Sequence, residues 1–385
     1  MKYRPLGRTG LSVSEIGMGL EHLLDKEEHV IADTIRAAVD GGVTYLDCHP
    51  GHDWTKEPIA YEGYEKLGRA LAGVRNRLCL SHIASCDTRS PAEAQPRFES
   101  YLRALNTDHT DVFIIQFCDK ATDYEQVTGE GGLLAHAQKL RTEGKLRAIG
   151  LSTHSANIAC RAIDSGAFDM LMYPVNPAFD VVMEEERYKP DNLDSLWDAA
   201  HDFTSEGKSG AQPRKNVYNE CARKGVGLVA MKPFAGGFIF HTEKNAGFTP
   251  VNLVSYALAQ NGVSTVVPGC THPGEIEEIL TYNTCTDEAR DYSGGVAASR
   301  WSVMENCLYC NHCLPCPADI NIGEIGRLLD AYADSTAGAR ERYSALAVKA
   351  SACVRCGVCE TRCPFRVKVI DRMQQAVEIF ERASV

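Results

Sequence analysis

The feature that most constrains the fold is a regular alternation of short β-branched runs with amphipathic helical segments over the first three quarters of the chain. Helical patterns such as HVIADTIRAAVDGG and VNLVSYALAQNG separate the runs. Eight strand–helix units predict an α/β fold, a (β/α)8 TIM barrel with its active site at the C-terminal strand ends. The strand runs are SEIGMGL, VTYLDCH, LCLSHIA, DVFIIQF, LRAIGLS, DMLMYPV, GLVAMKP and STVVPGC.

Two segments depart from this alternation. The N-terminal segment KYRPLGRTGLSVSEIG predicts a hairpin that caps the opposite end of the barrel. The connection from roughly Asp180 to Asn216 is longer than its neighbours and rich in charge. A loop of this length at the catalytic face is either a lid or binding loop, or a tolerated surface insertion, and the sequence leaves both open.

The cysteines divide the chain. Eight of the sixteen are scattered over residues 1–285, and the other eight fall between Cys307 and Cys363. The polar stretch TDEARDYSGG at the boundary reads as a linker. We therefore predict a barrel at 1–285 and a small α-helical, ferredoxin-like iron–sulfur domain at 286–385. Because the N-terminus shows no secretory pattern, a cytoplasmic protein that uses cysteine for metal or redox chemistry is expected.

The C-terminal cysteines form two motifs, Cys-x-x-Cys-x-x-Cys-x-x-Cys-Pro and Cys-x-x-Cys-x-x-Cys-x-x-x-Cys-Pro. Paired Cys-x-x-Cys units also bind zinc, but a third cysteine in register and a following proline favour two [4Fe–4S] clusters. In that arrangement the fourth cysteine of each motif serves the other cluster. The predicted ligands are Cys307, Cys310, Cys313 and Cys363 for the first cluster, and Cys353, Cys356, Cys359 and Cys316 for the second.

Composition excludes two classes of partner. The formal net charge is −11, which argues against nucleic acid because phosphate neutralisation needs a basic face. No run of about eighteen apolar residues exists, so no membrane-spanning helix is predicted. A small-molecule substrate is the partner to expect, with a ferredoxin- or flavodoxin-type electron carrier as a second.

Several segments together resemble the aldo/keto reductase family, in the branch that carries a C-terminal ferredoxin-like domain. The resemblance covers nearly the whole chain and implies carbonyl reduction with a nicotinamide cofactor. In the family a Tyr donates the proton, a Lys and an Asp tune it, and a His orients the carbonyl. The matching segments are YRPLGRTGLSVSEIGMG, GGVTYLDCH, YEKLGRAL, LRAIGLSTH, VAMKPFAGG and VVPGCTHPGEIEEIL, with both cysteine motifs.

The resemblance implies an altered catalytic set. Asp47 matches the family Asp, and the Tyr is Tyr61 or Tyr64, with Tyr61 favoured. His82 stands where the Lys is expected, and Gln116 stands where the His is expected. His82 would supply the missing charge only if protonated, which a nearby Asp47 would favour. Gln116 can donate a hydrogen bond but cannot titrate.

The cofactor positions are altered as well. Gly269 and Glu275 match the Lys and Arg that pair with a 2′-phosphate, so NAD is favoured over NADP. Ser152 keeps the usual amide contact, and Met172 replaces a Gln. The backbone at the start of the final helix could still cradle an anion. The expected cofactor contacts are Ser152, Met172, Pro268, Gly269, Cys270, Thr271 and Glu275.

One further polar group, His49, His52, Asp53 and His82, follows the second and third strands. Its side chains could bind a metal, act as acids and bases, or simply face solvent.

Three functions stay open. The first is an oxidoreductase acting on a carbonyl or hydroxyl of a small, sugar-like substrate, with electrons from a nicotinamide or passed through the clusters. The second is a non-redox isomerase or lyase with structural clusters. The third is an electron-transfer protein whose barrel only binds a partner.

Overall fold

The computed structural model describes residues 1–49, 61–84, 88–180, 212–240, 247–293, 313–333, 339–363 and 366–382, with residues 295, 305 and 307. Within them, eight strands form one sheet in sequence order, and all neighbours are parallel. Bridges Ile16–Val266 and Gly19–Gly269 join the first strand to the last, which confirms the barrel. The strands are β3 Met18–Gly19, β4 Tyr45–Cys48, β5 Cys79–Ala84, β6 Val112–Ile115, β7 Ala148–Ser152, β8 Met170–Pro174, β9 Gly227–Met231 and β10 Val263–Val267.

Helices connect the strands, and several begin and end at the signals their sequences predict. Ser155 Oγ accepts from the Ile158 N–H, and Thr249 and Asn252 form a reciprocal cap before a helix that starts at Pro250. The barrel helices are α1 Glu28–Asp40, α2 Glu62–Ala70, α3 Pro91–Ala104, α4 Ala121–Thr128, α5 Leu133–Thr142, α6 Ala156–Ser165, α7 Pro177–Asp180, α8 Gln212–Lys224, α9 Pro250–Ala259, α10 Pro273–Leu280 and α11 Asp287–Arg290. Short 3₁₀ turns span Arg75–Arg77, Ala235–Phe240 and Thr281–Asn283.

The predicted N-terminal hairpin pairs β1 Tyr3–Pro5 with β2 Ser12–Ser14 in antiparallel register. Leu6 and Leu11 join the apolar cluster inside the barrel, so the hairpin closes its N-terminal end. The turn passes so close to β9 that a Cβ on Gly7, whose φ is +53°, would lie 2.2 Å from the Gly227 nitrogen. Only glycine fits both the space and the backbone conformation there.

Side chains along each barrel strand alternate between the interior and the helical layer, as the strand period of two requires. On β5, Cys79 and Ile83 belong to the interior cluster. Ser81 also faces inward, where its hydroxyl contacts Asp47. Leu80 belongs to the outer apolar layer, and His82 packs against the aromatic rings of that layer. This alternation decides which residues can reach the barrel mouth.

The C-terminal region is helical where it is described. Its helices are α12 Ile322–Ala333, α13 Ala339–Ala345, α14 Val358–Arg362 and α15 Val369–Ala376, with a 3₁₀ turn at Ala350–Ala352 and a π-turn at Val377–Glu381. Their apolar side chains share one core with Phe179, Ile239 and Phe248, which follow barrel strands on the mouth side. The region therefore packs over the C-terminal end of the barrel, and the division at residue 285 stays a prediction.

The structure describes only the ends of the predicted long connection. Most of the long connection from Asp180 to Asn216 lies outside the described residues. Its two ends are joined, because Arg214 Nε donates to Asp180 Oδ1 at 2.6 Å in a buried ion pair. Among the described helices, none has the length and apolar character needed to cross a membrane.

Candidate functional site

A cavity of about 860 Å³ opens at the C-terminal ends of the barrel strands. Its wall combines polar side chains from the strand ends with part of the C-terminal region. The barrel side of the wall includes Glu21, His22, Asp47, His49, Ile83, Gln116, Ser152, His154, Met172, Lys232, Gly269, Thr271 and Glu275. The C-terminal region adds Leu314, Pro315, Arg327 and Arg362. We call this cavity the mouth.

Asp47, near the end of β4, is held by a neighbouring strand. Ser81 Oγ donates a hydrogen bond to Asp47 Oδ1 at 2.7 Å. Burial raises the pKa of Asp47 to about 7, and the hydrogen bond from Ser81 only partly opposes it. The charge on Glu21 raises this pKa further, and that on Lys232 lowers it. Near neutral pH, Asp47 can therefore both hold and release a proton.

Lys232 supplies a cation that the sequence analysis did not assign. It follows β9 with φ of 52°, and its backbone oxygen accepts from Asn176 Nδ2 at 2.9 Å. Its side chain lines the mouth, where its charge lowers the pKa of both Asp47 and His154. Within the described part of the chain, its ammonium group has no hydrogen-bond or ion-pair partner. The segment VAMKPFAGG contained this signal, because its Lys directly follows a predicted barrel strand.

His154 is a second functional candidate that the sequence analysis missed. Its Nδ1 lies 2.9 Å from Asp119 Oδ2, and Asp119 Oδ1 accepts from the His154 N–H and from Thr153 Oγ1. Burial lowers the pKa of His154, with the Asp119 charge opposing. Burial thus favours the neutral imidazole, with Nδ1–H assigned to Asp119 and Nε2 as its basic nitrogen. An oriented, neutral His in a strand-end cavity can act as a general base.

Gln116 follows β6 and lines the mouth, where the sequence predicted it. Its Nε2 lies 2.9 Å from His49 Nε2, which also lines the mouth. Gln116 is thereby positioned by a contact across the mouth to the residue that follows β4, as a residue that orients a substrate oxygen would need to be.

The predicted placement of His82 is wrong. Its ring lies on the outer face of β5, with the Tyr101, Phe98 and Phe113 ring centroids 4.2, 5.2 and 5.5 Å away. Burial lowers its pKa to about 3, so it is neutral and cannot replace a Lys. The prediction was off by one residue along β5, and a shift of one residue moves a side chain to the opposite face of the sheet. Ile83 lines the mouth instead.

The predicted placement of the proton-donating Tyr is also wrong for both candidates. Tyr61 lies outside the barrel between α2 and α3, where its hydroxyl donates to the Arg97 carbonyl at 3.4 Å. Tyr64 is buried and donates to the Cys48 carbonyl at 2.9 Å. Among the described residues that line the mouth, none is a Tyr. His52 and Asp53, of the predicted polar group, lie outside the described residues.

The cofactor positions are only partly brought together. Ser152, Met172, Gly269, Thr271 and Glu275 line the mouth. Pro268 and Cys270 do not contribute to that lining, and the Cys270 side chain is buried.

Glu275 occupies the turn where a 2′-phosphate would be expected. Its Oε2 accepts from the Thr271 N–H at 2.6 Å and from Thr271 Oγ1 at 2.9 Å. This turn therefore already holds a negative charge. Nearby, Gly236 and Gly237 line the mouth with positive φ, which leaves room for a ligand beside the backbone.

Four cysteines of the C-terminal region line one small, largely apolar cavity. They are Cys316, Cys353, Cys356 and Cys359, and Ile320, Val369 and Met373 complete the wall. This set joins three cysteines of the second motif to the fourth of the first. It is the same crossed set that the sequence predicts for the second cluster, so its residues fit such a group.

The first predicted set is described only in part, because Cys310 lies outside the described residues. Cys307, Cys313 and Cys363 all pack into the C-terminal core. Within the described chain, no three His, Cys, Asp or Glu side chains are grouped so as to hold a single metal ion. A cuboidal cluster makes a different demand, because each of its four cysteine sulfurs binds a different iron atom.

Both cysteine motifs touch the mouth through their neighbours. Leu314 and Pro315, between Cys313 and Cys316, form part of its wall, and so does Arg362, which precedes Cys363. The wall of the mouth is thus built directly on residues flanking predicted ligands of both clusters.

The chain belongs to the aldo/keto reductase family, whose sequence model matches residues 15–252. It is 24% identical over 200 residues to aldo-keto reductase YhdN of Bacillus subtilis, covering 48% of this chain and 56% of that protein. It is 23% identical over 206 residues to the NADH-specific methylglyoxal reductase of Escherichia coli, covering 48% of this chain and 62% of that one. The chain thus spans little more than half the length of these relatives.

The fold has a counterpart among solved structures. The holo form of aldo-keto reductase AKR11C1 from Bacillus halodurans aligns with a TM-score of 0.55 at 17% identity, covering 78% of this chain and 97% of that one. At this identity the likeness shows the shared barrel fold alone.

Proposed function

We propose that this protein is an iron–sulfur oxidoreductase that interconverts a carbonyl and a hydroxyl group of a small molecule bound in the mouth. The single observation that carries the proposal is the composition of the mouth wall. Acid–base residues of a reductase-family barrel face the same cavity as the residues between Cys313 and Cys316. If the clusters were structural only, nothing would require them beside the substrate cavity.

The mouth residues would manage protons and charge. Converting a carbonyl to an alcohol takes two electrons and two protons. In alcohol oxidation, His154, oriented by Asp119, would accept the proton of the substrate hydroxyl at Nε2, and the protonated form would return it in carbonyl reduction. Lys232 would stabilise negative charge that develops on that oxygen. Gln116 would orient the oxygen, and Asp47 would tune Lys232.

The two clusters, held by the eight predicted cysteines, would each supply one electron when bound. Alternatively, a nicotinamide would supply the same two electrons as a hydride, and the Glu275 carboxylate at Thr271 would favour NAD over NADP there. A ferredoxin- or flavodoxin-type carrier is the proposed electron partner outside the protein. A cytoplasmic location is proposed, since reducing conditions keep the cysteines available to the clusters.

The test uses protein purified without oxygen. It should carry close to eight iron and eight sulfide per chain, the content of two four-iron clusters. NADH should bleach the visible cluster absorbance, and NADPH should do so at least about tenfold more slowly, because a 2′-phosphate would meet Glu275. Stoichiometric zinc with little iron would remove the clusters from the proposal. Substrate turnover with an unchanged cluster spectrum would favour the isomerase or lyase alternative.

A further inference from the structure

We infer that the substrate carries an acidic group, a carboxylate or phosphate, which Arg362 and Arg327 of the C-terminal region bind while the barrel holds the reacting oxygen. This inference rests on the proposed function, since it concerns the substrate of the same mouth. It assigns substrate selection to the region that carries the cysteines, and the chemistry to the barrel.

Arg362 is the stronger of the two observations. It is the last residue of α14, and its Nη1 donates to the Pro315 carbonyl at 2.9 Å. That bond fixes the guanidinium at the wall of the mouth and uses one of its five N–H donors. Among the described residues, no carboxylate forms an ion pair with Arg362. A half-buried guanidinium fixed at a cavity wall without a counter-ion is suited to binding an anion from solution.

Arg327 lines the same cavity from α12. It forms an ion pair with Glu324 Oε2, one helical turn earlier, at 3.8 Å. Two guanidinium groups thus face the mouth from one region. Arg binds planar carboxylates and phosphates through two parallel hydrogen bonds, which fixes orientation as well as position.

The charges around the rest of the mouth would orient the bound substrate. Apart from Asp47, whose pKa the Lys232 charge lowers, the carboxylates of the mouth are Glu21, Glu275 and Glu278, which lie on the barrel beside the closing strands β3 and β10. An acidic group would be repelled there and attracted to the two arginines. A carbonyl elsewhere on the same molecule could then point toward Lys232 and His154. The diphosphate of a nicotinamide offers the same anionic chemistry, so the experiment must separate substrate from cofactor.

The experiment compares three carbonyl acids, pyruvate, 4-oxopentanoate and 2-oxoglutarate, each with its fully esterified methyl ester, which lacks the negative charge. Binding to the full, cluster-loaded chain is measured by calorimetry, and turnover by NADH consumption. The parent should prefer at least one acid to its ester by about tenfold or more, and Arg362→Gln should remove that preference, the cost of a lost charge-assisted contact. The loss should fall on KM and Kd, with kcat nearly unchanged. Arg327→Gln should give a smaller loss.

Arg340→Gln is the matched control, because Arg340 is exposed on α13 and stacks over Tyr332 away from the mouth. It should behave as the parent, and visible absorbance should show the same cluster content in all variants. If no acid binds better than its ester, or if Arg362→Gln keeps the preference, the inference is wrong. If Arg362→Gln instead weakens NADH binding and leaves the acids unaffected, the arginines bind the cofactor and the substrate assignment is wrong. Acid binding without turnover would leave this site standing while the proposed function fails.

Discussion

The barrel mouth and the cysteine-bearing C-terminal region place their functional groups in opposite ways. The mouth draws Asp47, Gln116, His154 and Lys232 from four strand ends far apart in sequence. The cysteines come from two compact motifs, and Cys316 of the first motif lines one small cavity with three cysteines of the second. A local pattern therefore predicts the ligands, whereas strand register and barrel closure decide which mouth residues lie together.

The largest expected effect separates the two regions directly. Replacing Cys316 with Ala should remove one ligand of the second predicted cluster and lower iron from about eight to about four per chain, with a matching loss of visible absorbance. Cys285→Ala is the control, since that half-buried thiol contacts the Tyr282 carbonyl in the barrel. Iron analysis and absorbance measure both. Full iron in Cys316→Ala would break the crossed assignment of ligands.

The next effect belongs to the mouth alone. Lys232→Met should lower kcat by about 10²- to 10³-fold, because it removes the cation proposed to stabilise charge on the substrate oxygen. Lys232→Arg should be faster than Lys232→Met, because it keeps a positive charge. Lys120→Met, at an exposed position, should keep the kcat of the parent. Steady-state kinetics provide the measurement, with cluster absorbance unchanged throughout. If Lys232→Met turned over like the parent, Lys232 would not be the residue that stabilises charge on the substrate oxygen.

A third prediction uses the pKa of Asp47, which burial raises to about 7. The folded state holds this proton more tightly than the unfolded state, whose pKa is near 3.9. Stability is therefore lost as pH rises from about 4 to about 7, by at most about 4 kcal/mol. Asp47→Asn should raise the melting temperature relative to the parent at pH 8 and much less at pH 4.5.

The exposed Asp33→Asn serves as the control for this pH dependence. An equal shift of Asp47→Asn at both pH values would show that burial does not control the Asp47 proton.

The sequence predicted the barrel because eight alternating units leave few other arrangements for so many parallel strands. The crossed ligand set around Cys316 stays a prediction, and the structure places its four cysteines around one small cavity. The sequence placed Asp47 and Gln116 in the mouth through the same strand-end logic. The failures, His82 and the two tyrosines, each depend on which face of an element a side chain occupies, and a short apolar run such as LCLSHIA does not reveal its own register.

Lys232 and His154 were overlooked for a different reason. The family pattern places its Lys and His on other strands, so Lys232 and His154 were not assigned, although both directly follow predicted strands. Whether a residue at a strand end takes part in the site depends on which residues lie opposite it in the closed barrel, and only the folded structure shows this.

The smallest expected effect tests the correction at His82. Its ring is buried among aromatic side chains, and its Nδ1 has no hydrogen-bond partner among the described residues. His82→Leu should leave kcat within about twofold of the parent, because no group on the outer face of β5 reaches the mouth, and a leucine fits an apolar site. A loss of a hundredfold or more, the size expected for a removed acid–base group, would return His82 to the catalytic set.

Stability gives the same residue an independent signature. Burial lowers the pKa of His82 from its ordinary 6.5 to about 3, so below pH 6.5 the unfolded state binds a proton that the folded state excludes. Stability is therefore lost as pH falls from about 6.5 to about 3, and at pH 5 the parent should lose about 2 kcal/mol from this residue. His82→Leu removes that loss, so its melting temperature should gain on the parent more at pH 5 than at pH 8. The opposite pH trend would mean that His82 is charged in the folded protein, which is the state in which it could replace the Lys.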